Sequence, residues 1–297
     1  MRLIRTEARR LAGAVAMVSS LLLVVAACSS SSGTAATASS TPAGADIKAQ
    51  IAQAANGSHR SEKNRARNSY RNPVETLAFF GLRNDMTVIE ISPGGLWYSE
   101  ILAPVLKDNG RFIAAGYDVA VEGQPSYRYK QTEAMLKRFA DDPAKYANVE
   151  VAKFSPPQSL YLGADGEADM VVTFRNSHGW MRDGVAEKVY QAAFDALKPG
   201  GVFGVVQHRG DNRYVTAKEA KGRISGYLPE SLVVATAESI GFVLEATSEV
   251  NANPKDTADH PAGVWSLPPV LRFKEVDRDK YLAIGESDRM TLRFRKP

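Results

Sequence analysis

Thr87-Val-Ile-Glu-Ile-Ser-Pro-Gly-Gly-Leu-Trp-Tyr-Ser99 is the stretch on which the reading of this chain turns. Val88 to Ile91 is a short apolar run that reads as a β-strand, Pro93-Gly94-Gly95 as a turn, and about Trp97 to Leu106 as a helix. A strand that runs through a glycine turn into a helix opens nucleotide-binding α/β domains. Gly94 and Gly95 remove side chains that would hold a ligand off the backbone, and the N–H groups at the start of the helix point into the same space. Glu90 ends the strand beside them. A carboxylate there repels a pyrophosphate and suits a ligand with a cationic amino group and ribose hydroxyls. The dinucleotide pattern G-x-G-x-x-G fits poorly, since of positions 92, 94 and 97 only Gly94 is a glycine.

The chain has 297 residues, 44% hydrophobic and 24% charged, enough for one large core. Its first residues read as a targeting segment. Arg2, Arg5, Arg9 and Arg10 precede an apolar run from Leu11 to Ala27, which ends in Val25-Ala26-Ala27-Cys28. This is the pattern of a secretory signal with a lipobox, and Cys28 is the one cysteine of the chain. The expectation is therefore a lipoprotein signal peptide over 1–27, lipid modification at Cys28, a flexible tether over 28–45 and a single domain over 46–297. An uncleaved anchor is the alternative, and either one exports the domain and holds it at a membrane. Ser29 is not an aspartate, so in a two-membrane bacterium the outer membrane rather than the inner one is the expected destination. Four arginines and one glutamate fall in the signal, so the formal net charge of +4 drops to +1 without it. No nucleic-acid partner is implied by that balance.

Working outward from the turn, Asn72-Pro73-Val74-Glu75 supplies an N-cap, a proline at the first helical position and a capping-box acid for a helix that runs to Gly81. Before it, Asp46 to about Asn56 can form a short helix, and Arg60, Arg65, Arg67 and Arg71 read either as a solvated face or as a lid that holds an anionic substrate. After it, Arg111 to Ala115 is a second strand ending at Gly116-Tyr117-Asp118, about Tyr127 to Ala140 a helix, Val149 to Val151 a third strand leading to Phe154-Ser155, and Met170 to Phe174 a buried fourth. Arg175-Asn176-Ser177-His178-Gly179-Trp180 follows at the end of that strand, where ligands of open α/β sheets sit. A helix from about Gly184 to Leu197 leads through Lys198-Pro199-Gly200-Gly201 to a fifth strand, Val202 to Gln207, and His208-Arg209 ends it. A helix from Pro229 to Gly241, a sixth strand from Phe242 to Val250 and a last strand from Arg289 to Phe294 close the pattern. The segment between the last two, about 251–288, holds His260 and Trp265 and looks like a cap over the site.

The acid followed by a glycine turn at Glu90 to Gly95, and the Leu-Lys-Pro-Gly-Gly turn at 197–201 before an apolar strand, resemble two motifs of the class I S-adenosylmethionine-dependent methyltransferases. The class's usual first glycine is Ser92 here, and its third is Leu96. More widely, Glu90 to Pro104, Arg175 to Asp183, Leu197 to Arg209, Asn253 to Pro269 and Tyr281 to Phe294 are similar to a group of exported bacterial methyltransferases predicted from sequence. The resemblance implies a doubly wound, mostly parallel seven-stranded α/β sheet of the Rossmann-like methyltransferase kind, with an N-terminal helical segment and an insertion before the last strand. It also implies S-adenosylmethionine as cofactor and a small-molecule acceptor. Glu90, Ser92, Gly94, Gly95, Asp118, Phe154, Ser155, Arg175 and Asn176 are the cofactor-binding candidates that it picks out. Asp118 would take the ribose hydroxyls, with a turn cap as its other reading, and Ser155 beside a flat Phe154 would take the adenine.

Methyl transfer from a sulfonium is an in-line displacement, so a base is needed only where the acceptor must lose a proton. His178 and His208 are the catalytic candidates, each at the end of a central strand, and a structural donor role is the alternative for both. Trp97, Tyr98 and Trp180 suit core packing better than ligand contact. The chain has no G-x-S-x-G elbow, H-E-x-x-H, Walker A loop or paired cysteines, and its dispersed histidines do not make a metal site. A non-catalytic envelope protein that binds a small ligand on a repurposed methyltransferase fold is the rival expectation, because the cofactor is made in the cytoplasm.

Overall fold

A computed structural model of the chain describes residues 43–211 and 225–297. The signal, Cys28 and most of the tether lie outside the described residues. Helix α1, Ala43–Asn56, begins three residues inside the stretch expected as tether. Short helices α2 (Glu62–Arg65) and α3 (Asn68–Arg71) carry the arginine-rich segment, and α4 (Pro73–Phe80) follows, ended by Gly81 at φ 81°. Asn72 does precede α4, but at φ 38° its side chain does not cap it and donates instead to the Val250 carbonyl at 2.6 Å.

The doubly wound α/β sheet is present. Strands β1 (Thr87–Ile91), β2 (Arg111–Gly116), β3 (Val149–Lys153), β4 (Ala168–Phe174) and β5 (Leu197–Gly210) are parallel, while β7 (Val243–Ser248) and β8 (Arg289–Arg295) form the far edge. Their order is β3-β2-β1-β4-β5-β8-β7, with β8 antiparallel to both neighbours and a two-residue β6 (Leu228–Pro229) beside the end of β5. From β1 the chain winds outward to β2 and β3, then returns to β4 on the other side. The crevice between the carboxyl ends of β1 and β4 is therefore the switch point at which such sheets bind ligands.

Helix α5 (Ser99–Leu106) follows β1, α6 (Ser126–Asp141) and α7 (Pro143–Tyr146) follow β2, and α8 (Ser177–Arg182) and α9 (Ala186–Ala196) follow β4. Helix α10 (Glu230–Ile240) precedes β7, and α11 (Arg278–Ile284) lies in the insertion. Strand parity sorts the core into two layers. Ile89, Ile91, Ile113 and Val171 face α9 and α10, with Val189, Tyr190 and Val233. Val88, Phe112, Met170 and Val172 face α1, α4 and α5, with Ile51, Phe80, Ile101 and Leu102. Ile101 and Leu102 are wholly buried, each stabilising by about 1.5–3 kcal/mol.

Helix α5 contains Pro104, which has no N–H to give the Glu100 carbonyl one turn back. His59 fills the gap, its Nε2 lying 2.8 Å from that oxygen. The arginine-rich segment is thereby tied to the helix that follows the glycine turn.

Candidate functional site

Parity decides where Glu90 goes. It shares a strand face with Val88, so its side chain enters the α5 layer and is 2% exposed. Ser99 Oγ, in the first turn of α5, donates to its Oε2 at 2.5 Å. Burial raises the Glu90 carboxyl to about 7, against the opposing effects of the Ser99 hydrogen bond and the Arg175 charge. A cationic group brought to it would be met by a carboxyl poised to release its proton near neutral pH.

The turn keeps a glycine-like backbone where the glycines are missing. Ser92 lies at φ 52°, Gly94 at 56° and Leu96 at 62°, all in the left-handed region. A Cβ added at Gly95 would meet nothing within 4 Å, so that glycine faces open space rather than packing. Asn176 braces the turn from the end of β4, its Nδ2 donating to the carbonyls of Ile91 and Ser92 at 3.1 and 3.2 Å and to Thr173 Oγ1 at 3.0 Å. Asn176 thus acts on the backbone of the cleft.

At the end of β2, Asp118 is half-buried. Its N–H donates to Ser155 Oγ at 2.8 Å, Ser155 Oγ donates to Gln124 Oε1 at 3.1 Å, and Gln124 Nε2 returns to the Asp118 carbonyl at 2.6 Å. The Asp118 carboxylate accepts from Ala120 N at 3.0 Å, the turn-capping bond weighed in the sequence. Ser155 is wholly buried and positions the Asp118 loop. Phe154 is wholly buried in the core beside Ile113 and Leu162, which corrects the expectation of a flat platform open to a ligand.

A small cavity of about 10 Å³ lies against the turn, lined by Ser92, Pro93, Gly94, Gly116, Tyr117, Gln131, Thr132 and Met135. Pockets that enclose a ligand of cofactor size run to about 300–1,000 Å³. Met135 of α6 fills the space, its Cε 2.6 Å from where a Cβ on Gly116 would stand. It is a flexible side chain, the kind that can swing clear for a ligand. A far larger cavity, about 490 Å³ and lined by Gln50, His59, Asn84, Asn109 and Lys145 among others, opens near the loops that enter β1 and β2, away from this chemistry.

On the β4 and β5 side the structure brings His178 and His208 together, ring centroids 5.7 Å apart. His178 sits in α8, the short helix that follows β4. Its Nδ1 is 3.3 Å from Gln207 Nε2, and Trp265 of the insertion stands edge-on 6.0 Å away. Ser287 Oγ lies 2.5 Å from His208 Nδ1. Burial lowers His178 to about 4, and burial plus the charges of His178, Arg175 and Arg289 holds His208 well below its ordinary value. Both shifts favour the neutral ring, which suits the hydrogen-bonding role weighed for each histidine in the sequence. His260 pairs with Asp256 at 2.9 Å inside the insertion, and the same carboxylate accepts from Tyr227 Oη.

The arginines of the N-terminal segment are not a solvated face. Arg60 and Arg71 are each 1% exposed. Arg60 stacks on Trp97 and pairs with Glu100, and Arg71 stacks on Trp97 and pairs with Glu286. Tyr98 stacks on Phe174 at 3.5 Å and Trp180 is buried in the core, the packing roles read for them. Glu286, which sequence reading did not single out, gathers Arg67, Arg71 and Arg289. An acid in a long insertion carries no local pattern that would mark it.

No family model and no curated protein sequence matches this chain. Solved structures similar to it include a SAM-dependent methyltransferase from Aquifex aeolicus, 17% identical, with 69% of this chain and 93% of that one covered and a TM-score of 0.46. Another is a geranyl diphosphate methyltransferase in complex with SAM, 11% identical, with 83% and 95% covered and a TM-score of 0.49. Likeness at that level concerns the path of the chain, and the case for a function rests on the residues above.

Proposed function

We propose that the chain is an S-adenosylmethionine-dependent methyltransferase that acts on a small-molecule acceptor. One observation carries the reading. Glu90 and Asp118, at the carboxyl ends of adjacent parallel strands, flank a turn whose Gly95 faces open space at the switch point of the sheet. The residues suit the cofactor: a buried carboxyl for a cationic amino group, a second acid for vicinal hydroxyls, and bare backbone between them.

When bound, the cofactor supplies an electrophilic methyl group on a sulfonium. Glu90 would accept from its amino group and Asp118 from its ribose, while Ser155 and Asn176 hold the two loops in place. His178, Gln207 and Trp265 stand across the crevice, where they can orient an acceptor and exclude water. Neutral imidazoles of low basicity suit an acceptor whose attacking atom already carries a free lone pair. The same proposal includes export and a lipid anchor at Cys28, supported by the Val25-Ala26-Ala27-Cys28 lipobox.

The test is calorimetric titration of Thr41–Pro297, a single compact unit, with S-adenosylmethionine and S-adenosylhomocysteine. Saturable micromolar binding of both is expected. A folded sample that binds neither overturns the reading and leaves the fold to some other small ligand.

A further inference from the structure

Glu286 is surrounded by more positive charge than it can balance. Arg67 Nε approaches its Oε1 at 2.5 Å, and Arg71 Nε and Arg289 Nη1 approach its Oε2 at 3.1 and 3.3 Å. Burial pushes the Glu286 carboxyl upward, yet these guanidiniums hold it at about 2. Arg175, after β4, is a fourth cation, and its charge bears on both Arg71 and Glu286. Glu286 therefore faces four guanidiniums, of which Arg175 also acts on Glu90.

The hydrogen bonds show the same deficit. Nη1 and Nη2 of Arg71 and Nη2 of Arg67 are buried with no partner among the described residues. Arg60 is the contrast, its guanidinium donating to Glu100, Asn68 and two carbonyls. Buried donors without acceptors and buried charge without countercharge both work against folding, and such groups in a native protein call for a partner. The cluster lies beside the crevice: Arg175 ends β4, and Arg289 stands opposite His208 in the register of β5 and β8. Arg67 and Arg175 are its half-buried members, and Arg71 and Arg289 are buried.

We propose that Arg67, Arg71, Arg175 and Arg289 form a receptor for a small oxyanion, a carboxylate or a phosphate, carried by the acceptor molecule. The role rests on the reading of this edge of the sheet as the acceptor side of a methyltransferase. A planar guanidinium fork matches the paired oxygens of either group, and several forks converging on one point give orientation as well as attraction. Glu286 holds three of the arginines by one edge; Arg289 also donates to the Ser287 and Tyr70 carbonyls, so the N–H groups left for the ligand are those of Nη1 and Nη2 of Arg71 and Nη2 of Arg67.

The experiment titrates the full-length chain in mild detergent with inorganic phosphate and with acetate, at constant ionic strength set by chloride, and follows heat and melting temperature. At least one probe should bind saturably and raise the melting temperature, and which of them does so identifies the group. Arg71→Gln and Arg175→Gln should each weaken that binding about ten-fold or more, and the exposed Arg83→Gln should not. Without anion, Arg175→Gln should melt at or above the temperature of the parent, because relief of the repulsion from Arg67 and Arg289 offsets the lost attraction to Glu286 and Glu90. Should Arg71→Gln fail to fold, Arg175→Gln alone carries the comparison. The inference is overturned if neither probe binds, or if Arg175→Gln lowers the melting temperature and leaves anion affinity unchanged. Titration of the same sample with S-adenosylmethionine keeps the two ideas apart: cofactor binding without anion binding sinks only the receptor, and anion binding without cofactor binding sinks its assignment to a methyl acceptor.

Discussion

The Ser99 hydroxyl donates at 2.5 Å to a Glu90 carboxyl that is 2% exposed, so the acid at the heart of the glycine turn is held by a neutral partner rather than a cation. Burial outweighs the charge of Arg175 there, so ionising this acid costs the fold.

That cost has a sign and a pH window. Glu90 titrates at about 7 in the folded chain and at 4.5 as an ordinary carboxyl, so between these values the folded state binds more protons than the unfolded one. Stability contributed by the group is present below about 4.5 and lost as pH rises through 7, by up to about 3 kcal/mol. Glu90→Gln keeps the shape and removes the charge. Urea unfolding should find it close to the parent at pH 4.5 and more stable at pH 8; a variant less stable at pH 8 would contradict the burial argument.

His178 pulls the other way. Its folded pKa of about 4 lies below the ordinary 6.5, so the unfolded chain takes up a proton that the folded chain refuses. Stability from this group is present above 6.5 and lost as pH falls toward 4. His178→Asn should flatten the acid limb of the stability curve. In nuclear magnetic resonance spectra the ring protons of His178 should stay at their neutral positions down to about pH 5. A ring that titrates near 6.5 would restore His178 as a candidate base.

The strand-turn-helix at 87–106 was legible because each signal in it is local: β-branched residues, a Pro-Gly-Gly turn and an apolar helix face. The Lys198-Pro199-Gly200-Gly201 turn was equally plain, although β5 is continuous from Leu197 through it. The burial of the arginines was not legible, for the opposite reason. Arg60 and Arg71 meet their acids across 40 and 215 residues, and no spacing in the sequence announces such a pair. Histidine basicity was out of reach as well, since it depends on what buries the ring. Ser92 and Leu96 lie between these cases, departing from the glycine pattern by residue and keeping it by backbone angle.

The His59 contact at Pro104 is open to a direct test. Glu100 is buried, and loss of the His59 ring leaves its carbonyl without a partner, a cost of about 1–3 kcal/mol. His59→Ala should be destabilised by that amount. In the background Pro104→Ala, which restores an N–H for the same oxygen, the loss should shrink toward zero. Equal losses in both backgrounds would show that the carbonyl is not what His59 serves.

Ser92 holds a φ of 52°, a conformation that costs a residue with a Cβ about 1–2 kcal/mol and glycine little. Ser92→Gly also frees the unfolded chain, which takes back part of the gain, about 0.5–1 kcal/mol. The expected net effect is a stabilisation of up to about 1 kcal/mol in urea unfolding. Destabilisation would mean that the serine hydroxyl does more in the turn than its backbone angle suggests.

Asp118 separates a structural role from a ligand role, because its carboxylate already caps a turn through Ala120 N. Asp118→Asn keeps an oxygen for that bond and gives up the charge, whereas Asp118→Ala gives up both. If the acid also receives the vicinal hydroxyls of the cofactor, both variants should bind S-adenosylmethionine about ten-fold or more weakly, the scale of a lost charge-assisted hydrogen bond. If it is only a cap, Asp118→Asn should bind like the parent and Asp118→Ala should lose stability ahead of affinity. Calorimetric affinity read beside the melting temperature distinguishes the two, and an unchanged affinity in both variants would remove Asp118 from the site.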